Sequence, residues 1–280
     1  GAQGVHSAEV IGMAGVEKAY DTFLRDPRFD GQPLQLSIDL TVQSALEEAL
    51  FGGMRLMNAR GASAVLMDAY SGEIMALSSL PDFDPNNRPR PLIQGDASDS
   101  ALFNRAVQGV YELGSAFKAF TVAQAMDLGL VEPDSLVDTK GPLRWGKHKI
   151  NDYRYYGAQM SVEKVLIKSS NIGTARMSLM IGADLQKEFL GRLGLLQATP
   201  IEVIEGPTGR PQYPSNWSDI STMTISYGHG ISTSPVHLAA GYAAIVNGGT
   251  LVRPTVLKQL AAPRGERIIS EKTSWHLRSM

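Results

Sequence analysis

Two short apolar runs, Ala64-Val-Leu-Met-Asp68 and Glu73-Ile-Met-Ala-Leu77, flank a turn that ends on Ser71-Gly72. This pattern predicts a β-hairpin. A lone two-stranded hairpin is marginal in water, so the rest of the chain must supply something to pack on it. Beyond residue 114 the chain is mostly helical in pattern. Residues 115–128 carry Phe117, Phe120, Ala123 and Met126 toward one side and stop at Gly129, which suits the left-handed position after a helix. Further helices are predicted from Ser161 through Val162, Val165 and Leu166, and from Gly173 through Met177 and Met180 to Gly182. Another runs from the N-cap Ser234 with Pro235 to Val246, before Gly248 and Gly249. Upstream, residues 34–38 alternate as a short strand, and Asp39 caps a helix with Val42, Leu46, Ala49 and Leu50 at helical spacing. Residues 81–91 hold four prolines and read as a loop, and residues 1–33 read as a lead-in with one modest helix at 16–24. One hairpin among many helices is an α+β pattern.

Composition removes several function classes. A chain of 280 residues is at most two ordinary domains or one large one. With 43% hydrophobic and 19% charged residues it is globular rather than disordered, collagenous or coiled-coil. Lys+Arg 26 against Asp+Glu 28 leaves a net charge of -2, too little to gather nucleic acid or an anionic membrane surface. No segment approaches the ~18 consecutive apolar residues of a membrane span, and residues 1–10 lack the pattern of a signal peptide. Absence of cysteine excludes thiol catalysis, disulfides and thiolate-bound zinc. The five histidines lack metal-ligand spacing, and Asp82-Phe-Asp-Pro-Asn-Asn87 departs from a calcium loop at its sixth and twelfth positions, Asn87 and Ile93. No metal and no cofactor is expected.

The sharpest local feature is Tyr111-Glu-Leu-Gly-Ser-Ala-Phe-Lys118. A serine after glycine at a helix start, with lysine three residues on, puts an amine over a hydroxyl. Serine is a poor nucleophile near neutral pH and needs an adjacent base, which a lysine deprotonated by burial can be. The helix start adds backbone N–H groups able to hold an oxyanion. Read alone, the expected role of Ser115 is a helix N-cap with a surface lysine in its first turn, and catalysis is the lesser reading. Ser169-Ser170-Asn171 adds a hydroxyl and an amide in a turn between two helical stretches. Read alone, a polar helix break is the expected role, and a catalytic one the lesser reading. Taken together, Ser-x-x-Lys followed by Ser-x-Asn is the order found in penicillin-binding proteins and class A β-lactamases, where Lys-Thr-Gly comes third.

On these residues the chain resembles the transpeptidase domain of class B penicillin-binding proteins, close to the septal peptidoglycan D,D-transpeptidases of cell division. The resemblance extends through Gly12-Met-Ala-Gly-Val-Glu17, Leu36-Ser-Ile-Asp39, Ser71-Gly-Glu-Ile-Met-Ala-Leu-Ser-Ser-Leu-Pro-Asp-Phe-Asp-Pro-Asn86 and Asn104-Arg-Ala106 to Ser169-Ser-Asn-Ile-Gly-Thr174 and Ile225-Ser-Tyr-Gly-His-Gly-Ile231. Leu113 stands where the family usually has proline. The resemblance implies an α+β fold of the β-lactamase-like serine transferase type, an antiparallel sheet flanked by helices. It implies a remnant of an N-terminal pedestal module and linker in residues 1–33 and the transpeptidase domain in 34–280. It also implies that Ser115 attacks a D-Ala-D-Ala carbonyl, Lys118 takes its proton, Ser169 relays a proton to the leaving D-Ala, and Asn171 holds the peptide or a β-lactam amide. Expected partners are peptidoglycan stem peptides, β-lactam antibiotics, a membrane glycosyltransferase and other division proteins. The expected location is the inner membrane with the catalytic domain in the periplasm, the anchor lying outside this chain.

The third motif departs from the family pattern. Lys272-Thr273-Ser274 lacks the glycine, and Ser270 before Glu271 reads as the N-cap of a helix. The family's Lys-Thr-Gly and its remaining central strands are therefore expected beyond Met280, leaving the site incomplete and weakly active in residues 1–280. Two rivals stay open: a β-lactamase-like hydrolase, for which no deacylating carboxylate motif is evident, and a non-catalytic division scaffold. Trp145, Tyr153, Tyr155 and Tyr156 lie between the two motifs; packing in the core or a loop is the expected role, a groove wall the other. Met177 and Met180 are expected to fill the core.

Overall fold

The structure is a computed structural model that describes residues 3–6, 9–29, 32–261 and 265–280. The chain begins with an antiparallel pair, β1 (Gln3–His6) and β2 (Glu9–Gly12), followed by two single-turn helices, α1 (Gly15–Ala19) and α2 (Asp21–Arg25). The helix expected at 16–24 is thus broken at Tyr20, whose backbone leaves the helical region at the junction.

The predicted hairpin forms between β3 (Ala62–Met67) and β4 (Ile74–Leu80), with a register shift at Leu66/Met67. Ile74, Ala76, Ser78 and Leu80 are buried while their neighbours are partly covered, the period-two signature of a strand with one core face. Support comes from α3 (Leu40–Leu56), capped as expected by the Asp39 carboxylate, which accepts from Thr41 N and Val42 N. The Gln43 side chain donates to Leu77 O and accepts from Leu77 N, both at 2.9 Å. A glutamine amide therefore replaces a neighbouring strand along that edge of β4. The strand expected at 34–38 shrinks to one bridge, Leu36 with Leu257. Ser37 instead turns its hydroxyl to Ile74 O at 2.8 Å, and its N–H meets Val256 O at 2.9 Å. That arrangement knits residues 255–257 to the start of β4, where Val256 and Ile74 share a core cluster with Val107, Ile201 and Val236.

The helical region centres on α4 (Lys118–Asp127), in which every residue from Lys118 to Met126 is buried. A helix buried on all sides belongs in a core rather than on a surface. Its Ala119, Phe120 and Ala123 join Leu190, Leu195, Ile225 and Ile245, whereas its Val122, Ala125 and Met126 join Val137, Val162, Val165 and Met177. Full burial of a Phe or Met side chain contributes ~1.5–3 kcal/mol, so α4 is held from both sides. The expected helix at 115–128 begins instead as a 3-10 turn, Gly114–Phe117.

Two further antiparallel ladders follow α4 along the chain. One pairs β5 (Leu136–Asp138) with β8 (Gln159–Ser161); the other pairs β6 (Leu143–Trp145) with β7 (His148–Ile150). Then come α5 (Val162–Ile167), α6 (Asn171–Ile181), α7 (Ala183–Arg192), α8 (Asp219–Ser226), α9 (Pro235–Val246) and α10 (Glu271–Ser279). Met177 is fully buried as expected, but Met180 is half exposed. Tyr153 and Tyr155 also lie exposed, at 95% and 74%, rather than packed. Tyr156 alone of that group packs against the second cluster. Lys272-Thr273-Ser274 is helical within α10, and Lys272 pairs with Glu132 at 2.8 Å. No helix among the described residues is long and apolar enough to cross a membrane.

Candidate active site

Gly114 adopts φ +56, a left-handed conformation that costs a side-chain-free residue little, and from it the chain enters the 3-10 turn. Side chains three apart eclipse in such a turn. Ser115 and Lys118 therefore stand one above the other, with Lys118 Nζ 3.0 Å from Ser115 Oγ. Ser115 is exposed, whereas Lys118 is only 1% exposed. The hydroxyl is open to a substrate and the amine is not.

The third member arrives from the end of α5. Ser169 N donates to Leu166 O at 3.0 Å and Ser170 N to Val165 O at 2.9 Å, the pair of bonds that closes a helix in the Schellman manner. Ser169 occupies the left-handed position of that motif at φ 57, where glycine is the usual residue. A serine there costs on the order of 1 kcal/mol. The bend aims both its carbonyl and its hydroxyl at Lys118: Nζ donates to Ser169 O and to Ser169 Oγ, each at 2.7 Å. Ser169 Oγ in turn donates to Ser115 Oγ at 3.0 Å. Three polar atoms from residues 51 and 54 apart thus form a closed triangle, and the ammonium's three protons all have acceptors.

Burial pushes the Lys118 pKa down from 10.5 to about 8, against the opposing pull of the Asp152 carboxylate, which favours the charged form. Asp152 is the residue that sequence reasoning missed. Its Oδ2 accepts from Ser170 Oγ at 2.7 Å and its Oδ1 from Ile172 N at 3.0 Å. Ser170, fully buried, is the N-cap of α6, accepting from Gly173 N at 3.0 Å. A carboxylate at that end suits the helix dipole. Asn171 opens α6 two residues beyond Ser169. Its Nδ2 donates to Asn151 O at 3.1 Å, so its side chain stands outside the triangle.

The turn through Ile225-Ser-Tyr-Gly-His-Gly-Ile231 backs the 3-10 turn from behind. Gly114 N meets Gly228 O at 3.3 Å, Thr121 Oγ1 donates to Ser226 O at 3.1 Å, and Gly230 N donates to Glu112 Oε1 at 2.6 Å. That last bond, with His229 on the other oxygen, holds the Glu112 carboxyl below its usual range. A Cβ on Gly228 would lie 2.1 Å from Gly114 O, so only glycine lets the two turns touch. From α9, Tyr242 OH donates to Ala116 O at 2.8 Å. His237 has a different duty: it completes the cap of α9 with Ser234, and burial pushes its pKa down to about 4. A larger cavity of about 650 Å³, between α1, β4 and the loop after it, contains none of the triangle residues. Among the described residues no three His, Cys, Asp or Glu side chains gather as metal ligands would.

A family model for the penicillin binding protein transpeptidase domain matches residues 62–280. The chain belongs to the penicillin-binding protein transpeptidase family. It is 37% identical over 267 residues to a probable peptidoglycan D,D-transpeptidase FtsI of Caulobacter vibrioides, covering 94% of this chain and 44% of that protein. It is 31% identical over 291 residues to the peptidoglycan D,D-transpeptidase FtsI of Escherichia coli, covering 96% of this chain and 48% of the relative. The chain thus spans less than half the length of these relatives. The transpeptidase domain of Burkholderia pseudomallei penicillin-binding protein 3 matches in structure with TM-score 0.76 and 30% identity, over 89% of this chain and 70% of that one. The penicillin-binding protein transpeptidase fold expected from the sequence is therefore the fold of this chain. Asp152 had no recognisable signal, since it lies 18 residues before its partner Ser170, in a segment with no periodic pattern.

Proposed function

We propose that this penicillin-binding protein domain is the acyl-transfer unit of a septal peptidoglycan D,D-transpeptidase, working through a serine ester. The observation that carries the reading is the triangle of Ser115 Oγ, Lys118 Nζ and Ser169 Oγ, with no edge longer than 3.0 Å. As Ser115 Oγ attacks the carbonyl between the two terminal D-alanines of a stem peptide, its proton passes to the neutral Lys118 amine. The proton then moves through Ser169 Oγ to the departing nitrogen, the C–N bond breaks, and D-alanine leaves. An amine of a second stem peptide attacks the ester, gives up its proton along the same path, and restores the Ser115 hydroxyl as the new amide forms. Each proton transfer among Ser115, Lys118 and Ser169 spans one hydrogen bond, the reach general base catalysis requires. Asn171, two residues beyond Ser169, holds the substrate amide in this reading. A β-lactam would follow the first half of the sequence and stop as an ester on Ser115.

The domain division proposed with this mechanism is a pedestal and linker remnant in residues 1–33 and the transpeptidase domain in 34–280. The same reading carries the catalytic unit to the periplasmic side of the inner membrane, beside a membrane glycosyltransferase and other division proteins. The test is mass spectrometry of the full-length protein after incubation with a β-lactam. An adduct mapped to Ser115 and lost in Ser115→Ala is the expected result. Acylation at another residue, or none, removes the mechanism, and rapid nitrocefin turnover would mean a hydrolase instead. Normal cell growth with a folded, localised Ser115→Ala protein would mean a scaffold.

A further inference from the structure

The segment between the two catalytic turns is charged unlike the rest of the molecule. Residues 140–156 contain Lys140, Arg144, Lys147, Lys149 and Arg154 against Asp152 alone, a balance of +4 (5 − 1) in a chain whose total is -2. The other residues therefore sum to −6 (−2 − 4). The five cations are exposed, and among the described residues none of them forms an ion pair.

Their arrangement is costly as it stands. In the β6–β7 hairpin Leu143 pairs with Ile150, Arg144 with Lys149, and Trp145 with His148. Leu143 and Ile150 are buried and anchor the ribbon. Arg144 and Lys149 therefore share the opposite face as direct cross-strand neighbours, where like charges repel. Nothing in the fold requires this pairing, because the anchoring is done by the two apolar residues. A carboxylate seated between the two cations would turn the repulsion into attraction.

The ribbon leads straight into the candidate active site. Directly after β7, Asn151 O accepts from Asn171 and Asp152 holds Ser170. A cavity of about 200 Å³ opens at this junction, lined by Asn151, Asp152, Arg154 and Tyr155 among others. The guanidinium of Arg154 lies 5.3 Å from the centre of the Tyr156 ring, which leaves its N–H edge available. Tyr153 and Tyr155 stand exposed beside it, offering flat faces on which a sugar or peptide plane can rest.

We propose that Arg144, Lys149 and Arg154 bind carboxylates of the glycopeptide strand whose stem peptide enters the Ser115 cleft. The inference rests on the transpeptidase reading and adds to it a substrate-holding surface outside the reacting groups. Exposed basic residues of this kind act on capture of substrate rather than on chemistry. The hairpin therefore contributes to KM, and the ester-forming step proceeds without it.

The test uses the full-length protein with Arg144→Glu/Lys149→Glu and, separately, Arg144→Glu, which creates an opposite-charge pair with Lys149 and should fold at least as well as the parent. Expected for the double variant is a roughly tenfold rise in KM for uncross-linked peptidoglycan strands, as two exposed charge contacts are removed and reversed. Its kcat and its rate of β-lactam acylation at Ser115 should stay within about twofold of the parent, since neither residue touches the triangle. Raising salt should increase KM in the parent and leave the double variant nearly unchanged. An unchanged KM would overturn the proposal. So would an acylation rate that falls in step with KM, which would mean the hairpin merely props Asn151 and Asp152. Loss of binding to anionic phospholipid vesicles with KM unaltered would assign the face to a membrane instead. Failure of the parent to acylate at Ser115 would strike the transpeptidase reading itself, a result distinct from any outcome of the KM comparison.

Discussion

If Lys118 is the base that activates Ser115, the rate of acylation must follow its titration. An ordinary lysine with pKa 10.5 has a free amine in about one molecule in 3000 at pH 7, by the simple titration relation. Burial lowers the Lys118 pKa to about 8, which raises the free-amine share at pH 7 to about one in ten, a gain of about 300-fold in competent enzyme. The second-order rate constant for β-lactam acylation should therefore climb about tenfold per pH unit below 7 and level off a little above 8. Lys118→Arg supplies the control. It keeps a cation and hydrogen-bond donors but cannot surrender its proton in the working range, so the rate at pH 7 should fall on the order of 100 to 10,000-fold. Stopped-flow or gel-based acylation with a fluorescent penicillin, read from pH 5.5 to 10, measures both. A profile flat across pH 7 to 8, a break near 10, or an arginine variant within tenfold of the parent would refute the assignment of the proton to Lys118.

The opposing charge on Lys118 gives a directional companion test. Asp152 favours the ammonium form, so Asp152→Asn should move the break in the acylation profile to lower pH; a move upward would contradict the geometry. Gly228→Ala would place a methyl group 2.1 Å from Gly114 O at a backbone φ of +80, and should cost ~2 kcal/mol or more in stability and slow acylation through the shifted 3-10 turn, as seen by thermal unfolding and the same penicillin assay. His237 ties stability to acid. Its pKa is about 4 when folded against an ordinary 6.5, so the unfolded chain takes up the proton first and stability falls as pH drops from 6.5 toward 4, by up to about 3 kcal/mol. Chemical denaturation at pH 7 and pH 4.5 should show that loss in the parent. His237→Gln should show less of it, though starting from a lower stability because the cap of α9 is weakened.

Local features of the chain account for much of the architecture. The alternation of β4, the Asp39 and Ser234 caps and the stop at Gly129 each depend on residues within one turn or one strand, so they are visible without a fold. The same holds for Ser115 and Lys118, whose contact needs only three residues of helical backbone. Residues 34–38 misled because alternation predicts a strand but not a partner of matching length, and only Leu257 arrives opposite Leu36. Tyr153 and Tyr155 misled because large rings are usually covered, and here they stand exposed.

What the chain could specify unaided was a hydroxyl next to an amine; it could not specify that the amine is usable. A lysine near the surface would stay protonated at neutral pH. The change comes from α4 sinking between two apolar clusters, which strips Lys118 of water, and from the left-handed bend at Ser169, which brings a hydroxyl and a carbonyl from 51 residues away to the same nitrogen. Desolvation is a property of everything packed around a group. No spacing rule along a sequence can express it, and in this protein it separates an ordinary helix start from one whose lysine pKa is pushed down to about 8.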